Sequence, residues 1–331
     1  MERVLVTGGA GFIGSHLVDG LMNRGAEVFV FDNLSSGSME NIRNWLKSPG
    51  FTFIKGDLLS PIDLEKLKIE SYSLIFHLAA NPEVRIGSTD PSTHFQQNIV
   101  ATHRLLEAMR NAESRSTLVF ASTSTVYGEA TKIPTPEDYA PLRPISAYGA
   151  SKLACEALIS AYAYTYGFKA VILRLANIVG PRSRHGVIKD FIEKLRKNPK
   201  ELEILGDGTQ SKSYLHVTEC VEAFLLSAYR AREGSGDEKV EIYNVGSEDE
   251  VSVRKIASIV LEEMGLEEGS VRIFCTGGVD GGRGWKGDVK RMLLDVGRLK
   301  ALGWKPRLRS EEAVRRAAKE ILSLTLTPRS P

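Results

Sequence analysis

Six short apolar runs mark the first half of the chain, at residues 4–7, 28–31, 52–55, 74–78, 118–122 and 170–175. Most lack the apolar–polar alternation of a half-solvated strand, and Gly, Asn or Asp flanks most of them. Strands buried on both faces of a parallel sheet read this way. Between the runs, the spacing predicts helices over 14–24 and 98–111. Repeated strand–helix units predict an α/β fold with a doubly wound parallel sheet and right-handed crossovers.

After residue 176 the pattern changes. Loops rich in Gly, Arg and Lys occur at 180–186, 206–212 and 277–287, with helical patterns at 187–196 and 253–264. We therefore expect a nucleotide-binding domain over 1–176 and a smaller C-terminal substrate lobe over 177–331. A strand near 241–246 is expected to return to the main sheet, and residues 323–331 are expected to form a tail.

The 331 residues suffice for a sizeable core without disulfides or metals. A hydrophobic share of 42%, a charged share of 25% and a net charge of +2 give no global footprint for nucleic acid or a membrane surface. Any anion must be held by a local site. Cys155, Cys220 and Cys275 are scattered and odd in number, so neither a disulfide framework nor a metal site is expected. No run has membrane-spanning length, and no secretory pattern precedes the first strand, so the cytoplasm is the expected location.

The first run leads into Thr7-Gly8-Gly9-Ala10-Gly11-Phe12-Ile13-Gly14, ahead of a helical pattern. Gly8, Gly11 and Gly14 let backbone approach a pyrophosphate, while the helix N-terminus offers free N–H groups and the positive end of its dipole. A glycine trio alone marks only a tight turn. Its place between the first strand and first helix makes it a dinucleotide site of the Rossmann kind. The second run ends at Asp32, within Asp32-Asn33-Leu34-Ser35-Ser36-Gly37. An acid here accepts hydrogen bonds from the adenosine ribose and repels a 2′-phosphate, so NAD is expected rather than NADP. Asp57, just before Leu58, fits either a contact to the adenine amino group or a helix cap.

Ser146-Ala147-Tyr148-Gly149-Ala150-Ser151-Lys152 opens another helix. Tyr148 and Lys152 are four apart and share one helical face. A phenol must be lowered by about three units, or roughly 4 kcal/mol, to act as a base at neutral pH. A neighbouring ammonium and a positive nicotinamide ring can share that cost. The spacing alone usually means surface packing; its weight comes from Ser122-Thr123-Ser124-Thr125-Val126-Tyr127-Gly128, at the end of the fifth run. Strand ends of this kind face the ligand crevice. Ser122 and Ser124 are expected to satisfy turn backbone.

Together, the glycine turn, Asp32, the hydroxyl-Val126-Tyr127-Gly128 segment and Tyr148-x-x-x-Lys152 resemble the extended short-chain dehydrogenase/reductase family. Within it the chain is similar to UDP-galactose (UDP-glucose) 4-epimerases, particularly the archaeal type. The likeness runs along nearly the whole length, through Gln97-Asn98-Ile99, Arg174-Leu175-Ala176-Asn177, Tyr243-Asn244-Val245-Gly246 and Gly303-Trp304-Lys305-Pro306. It implies Thr123 as the active hydroxyl, Tyr148 as base, and Lys152 as the residue that lowers the phenol pKa and binds the nicotinamide ribose. It also implies Phe12, Ile13, residues 32–37, Asp57, Leu58, Leu78, Ala79, Ala80 and Asn98 around NAD. Pro82 stands where some epimerases carry a lysine.

The resemblance further implies a reversible 4-epimerisation of a UDP-hexose through a 4-keto intermediate, with NAD retained. A 4,6-dehydratase, a decarboxylase, a reductase and a non-catalytic NAD-binding regulator are the alternatives. Similar dehydratases place Asp-Glu directly after the active threonine, whereas Ser124 and Thr125 stand here, and neither is an acid at neutral pH. In the second lobe the likeness points to Asn177, His185, Gly186, Val187 and Lys212 as nucleotide contacts. Lys212 replaces an arginine and loses its bidentate fork. Arg182, Arg184, His185 and Lys189 form a basic cluster that supplies at most one or two phosphate ligands. Arg283 is a diphosphate candidate. Trp285 fits a stacking role or core packing, and Met292, near the position that limits hexose size, is expected to admit an N-acetyl sugar. A homodimer through paired helices is usual for similar proteins.

Overall fold

The computed structural model describes residues 2–234 and 238–326. The six apolar runs form β1 (Arg3–Thr7), β2 (Glu27–Asp32), β3 (Phe51–Lys55), β4 (Leu74–His77), β5 (Thr117–Thr123) and β6 (Ala170–Leu175). The returning strand is β7 (Val240–Val245), paired in parallel with β6 at one edge. The sheet runs β7-β6-β5-β4-β1-β2-β3, with every neighbouring pair parallel. Strand order reverses between β4 and β1, so their carboxyl ends open a crevice at the switch point.

Four longer helices pack on the sheet, α1 (Phe12–Met22), α2 (Ala101–Asn111), α3 (Ala147–Tyr166) and α5 (Val217–Glu233), while α4 (Val187–Lys197), α6 (Val253–Glu263) and α7 (Ser310–Leu326) lie apart from it. The period-2 geometry of each strand sends alternate side chains to opposite faces. Val4, Val6, Val28 and Val30 thus pack with Leu17 and Leu21 of α1 and Phe224 of α5. Leu5, Ile75, Leu118 and Phe120 pack with Leu105 of α2 and Ile159 of α3. A separate core joins Phe191 of α4, Ile256 and Val260 of α6, and Val314 of α7.

Short strands in the C-terminal half bring candidate residues together. Asn177–Val179 pairs with Tyr214–His216, and Arg291–Met292 pairs with Ser211–Lys212, which sets Met292 beside Lys212.

Several boundaries differ from expectation. Helix α1 starts at Phe12 rather than 14, because Gly11 is extended (φ −75°, ψ −176°) and serves as N-cap. The predicted helix over 98–111 begins as a wide π-helical turn, Phe95–Val100, before α2. Asn98 in that turn accepts from the Asn81 N–H (2.8 Å) and donates to Ser151 Oγ on α3 (2.9 Å). Such widened turns re-aim a side chain at a site. The expected tail from 323 is corrected in part: α7 continues through Leu326, anchored by Ala313, Val314 and Ala317 in the core. Residues 327–331 lie outside the described ones. Among the described residues no helix is long and apolar enough to cross a membrane.

Candidate active site

The glycine turn lies at the switch point. Gly8 has φ +71°, and a Cβ there would stand 2.6 Å from the Ala79 nitrogen. At Gly14 a Cβ would stand 2.2 Å from the Gly8 carbonyl oxygen. Both positions therefore exclude side chains, and the turn stays narrow beneath a cavity of about 500 Å³. Of the residues expected around a dinucleotide, Gly8, Gly11, Phe12, Ile13, Gly14, Asp32, Asn33, Ser35, Ser36, Asp57, Leu58, Leu78, Ala79, Ala80, Tyr148 and Lys152 line it.

Leu34, Gly37 and Asn98 stand behind that lining. The Leu34 N–H donates to Asp32 Oδ1 (2.8 Å), and the Ala10 N–H donates to Oδ2 (2.9 Å). Burial raises the Asp32 pKa while these two bonds oppose the rise. Each carboxylate oxygen keeps a further lone pair. Gly37 packs on the same acid, since a Cβ would meet both Ala10 and Asp32 Oδ1. Asn98 is buried and braces Asn81 against α3. Asp57 is not a helix cap: Ser60 caps the following turn, and Asp57 accepts from Asn33 Nδ2 (3.0 Å) and the Leu59 N–H (2.8 Å). A narrow glycine turn, a helix N-terminus and a second-strand acid in one long cavity fit a dinucleotide.

A second cavity of about 350 Å³ adjoins the first. Tyr148, Phe12, Ile13, Pro82, Ser122 and His185 line both. Thr123, Asn177, Gly186, Val187, Lys212, Trp285 and Met292 line the second. The Asn177 amide nitrogen is buried without a hydrogen-bond partner, as is Trp285 Nε1. Lys212 pairs with Asp288 (2.6 Å), and its ammonium lies 5.7 Å from the Trp285 ring centre, with Arg85 at 5.2 Å. Arg283 lines neither cavity. Its guanidinium donates to both oxygens of Glu129 and to the Asp288 carbonyl.

Tyr148 and Lys152 project from the first turns of α3, which Ser146 caps by accepting from the Gly149 N–H (3.1 Å). Burial pushes the Tyr148 phenol up to about 12, opposed by a hydrogen bond with Thr123. Burial pushes the Lys152 ammonium down to about 8. The ammonium donates to the Ala121 carbonyl (2.8 Å) and lies 4.6 Å from the Phe120 ring centre. Burial therefore raises the phenol, and the opposing effect comes from the Thr123 hydrogen bond rather than, as expected, from Lys152. Thr123 Oγ1 accepts from Thr125 N–H and Oγ–H, both at 3.2 Å.

Sequence reasoning missed the support behind this triad. Ser122 does not satisfy turn backbone as expected; its hydroxyl donates to Glu156. Arg174 on β6 forks onto Glu156 (2.8–3.2 Å) and donates to Tyr127 Oη (3.0 Å) and the Glu137 carbonyl (3.0 Å). Glu156 follows Lys152 by one helical turn on the same face, a spacing that could have flagged it. His94, with its ring 5.6 Å from that of Tyr148, gave no local signal.

The fold and the paired cavities fit an enzyme that binds a dinucleotide beside a second ligand. Residues 4–246 match the NAD dependent epimerase/dehydratase family, and the chain belongs to that family, whose cofactor is NAD. It is 33% identical to the putative UDP-glucose 4-epimerase of Methanocaldococcus jannaschii over 95% of this chain and 96% of that protein. A solved UDP-galactose 4-epimerase shares 45% identity with a TM-score of 0.85, over 98% of this chain and 100% of the other. The UDP-N-acetylglucosamine 4-epimerase from Methanobrevibacter ruminantium M1, in complex with UDP-N-acetylmuramic acid, shares 33% identity with a TM-score of 0.82, over 98% and 99%.

Proposed function

We propose that this chain interconverts UDP-galactose and UDP-glucose by 4-epimerisation with NAD held in the larger cavity. The observation that carries the reading is Tyr148, with Thr123 as partner, at the junction of the two cavities. NAD, when bound, supplies the acceptor and donor of the C4 hydride and a positive ring beside the phenol. Tyr148, as phenolate, takes the proton of the sugar 4-hydroxyl. Thr123 bridges that hydroxyl and the phenol, and Lys152 holds a positive charge behind them. The 4-ketose turns about its diphosphate and presents its opposite face, and Tyr148 then returns the proton. Asn177 and Lys212 hold the nucleotide while the hexose turns.

Ser124 and Thr125 favour epimerisation over dehydration, because elimination of water needs an acid that neither supplies. The test is incubation of the purified protein with UDP-galactose without added cofactor, followed by NMR. UDP-glucose should form, and Tyr148→Phe should abolish it. Absence of conversion, with or without added NAD, overturns the reading.

Met292 supports a second substrate, a UDP-N-acetylhexosamine, because an unbranched flexible side chain lines the sugar cavity. Turnover of UDP-glucose without turnover of UDP-N-acetylglucosamine rejects it. A homodimer is the proposed assembly, since Phe95, Tyr164 and Tyr166 expose aromatic surface beside α2 and along α3. A monomeric mass in light scattering rejects that.

A further inference from the structure

Residues 181–185 leave the substrate half of the site and cross to the cofactor half. Gly180 and Gly186 bound this segment, with φ +153° and +109°, and nothing lies within 4 Å of where a Gly186 Cβ would be. Three ties hold the segment across. His16 Nε2 of α1 meets the Pro181 carbonyl at 3.1 Å. Arg182, in a left-handed conformation (φ +67°), pairs with Asp19 of α1 at 2.8 Å. Arg184 donates to the Ser36 carbonyl at 3.1 Å, on the loop that follows Asp32.

Of these ties, the one between Arg184 and Ser36 lies on the wall of the larger cavity. Arg184 and His185 line it together with the glycine turn and Ser36, and His185 also lines the substrate cavity. Arg182 adopts a backbone conformation that non-glycine residues avoid, and its guanidinium stands in ion-pair distance of Asp19 on α1. Arg184 is exposed, so its bond to Ser36 contributes little to the core.

We infer that residues 181–185 are a clasp that retains the dinucleotide, with Arg184 as its latch over the adenosine end and the Arg182–Asp19 pair as its anchor. The dinucleotide leaves only when the latch opens. The inference rests on the NAD reading of this cavity. Because His185 is a shared wall, a nucleotide in the second cavity holds the clasp shut, and by linkage the two ligands strengthen each other.

The test uses the full chain. Bound NAD is quantified after acid release from the purified protein, and its exchange with isotopically labelled NAD is timed with and without UDP. Arg184→Ala should accelerate exchange about tenfold, the size expected for loss of one hydrogen bond from a charged donor. Asp19→Asn keeps an acceptor for Trp45 Nε1, which bonds Asp19 at 2.7 Å, but discharges the Arg182 anchor. It should act in the same direction, with an unchanged melting temperature, and UDP should slow exchange in the wild type but not in Arg184→Ala. Wild-type protein that neither carries nor takes up NAD overturns the cofactor reading itself. Wild-type protein that holds NAD, with both variants exchanging it at the wild-type rate, overturns the clasp alone.

Discussion

Lys152 Nζ donates to the Ala121 carbonyl at 2.8 Å, which ties the helix carrying Tyr148 to the strand that ends in Thr123. Under the proposed mechanism the lysine has two tasks, a charge for the phenol and a brace between two elements. Lys152→Met removes both, and Lys152→Arg restores only the charge. We expect Lys152→Met to lower kcat by about 10²–10⁴-fold, the usual range for a positioned acid–base group. The alkaline shift of its pH–rate profile, with partial rescue by Arg, is the measurement that separates the charge from the brace.

Gly14→Ala tests the narrow turn. Its Cβ would stand 2.2 Å from the Gly8 carbonyl oxygen, which is backbone and cannot swing aside. The variant should lose bound NAD and destabilise the fold by about 1–3 kcal/mol, the usual cost of overpacking. NAD content after gel filtration and urea unfolding measure the two effects.

The buried Glu156–Arg174 pair is 5% and 4% exposed at its side chains. Removing one partner leaves an uncompensated charge, so Glu156→Ala should cost about 3–5 kcal/mol. Glu156→Leu combined with Arg174→Met should cost less than the sum of the two single changes. A double-mutant cycle in urea checks this.

His77 makes stability depend on acid. It is fully buried between Thr7 Oγ1 (2.7 Å) and Thr102 Oγ1 (2.9 Å), and burial lowers its pKa from 6.5 to about 3. Between those values the unfolded chain binds a proton that the folded chain refuses. The stabilising contribution is fully present above pH 6.5 and falls towards pH 3, with a slope of up to about 1.4 kcal/mol per pH unit. His77→Gln should flatten the acid limb of a urea–pH stability map; an unchanged slope rejects the assignment.

The sequence by itself determined the sheet, its glycine turn and the shared face of Tyr148 and Lys152, because each rests on local periodicity or fixed spacing. Apolar runs without alternation demand strands buried on both faces, and they became β1 to β6 nearly residue for residue. Tyr148 and Lys152 share a helical face whatever surrounds them. The C-terminal substrate contacts were less legible. Arg283 offered the right charge, but only tertiary structure decided that Glu129, far away in sequence, engages its guanidinium. Ser122 looked like a turn hydroxyl until folding set Glu156 against it. The pKa directions of Tyr148 and Lys152 were also settled by tertiary packing, since burial dominates both and depends on the full set of neighbours. Local pattern encodes which face a side chain takes; only the folded chain decides which charge or hydroxyl waits there.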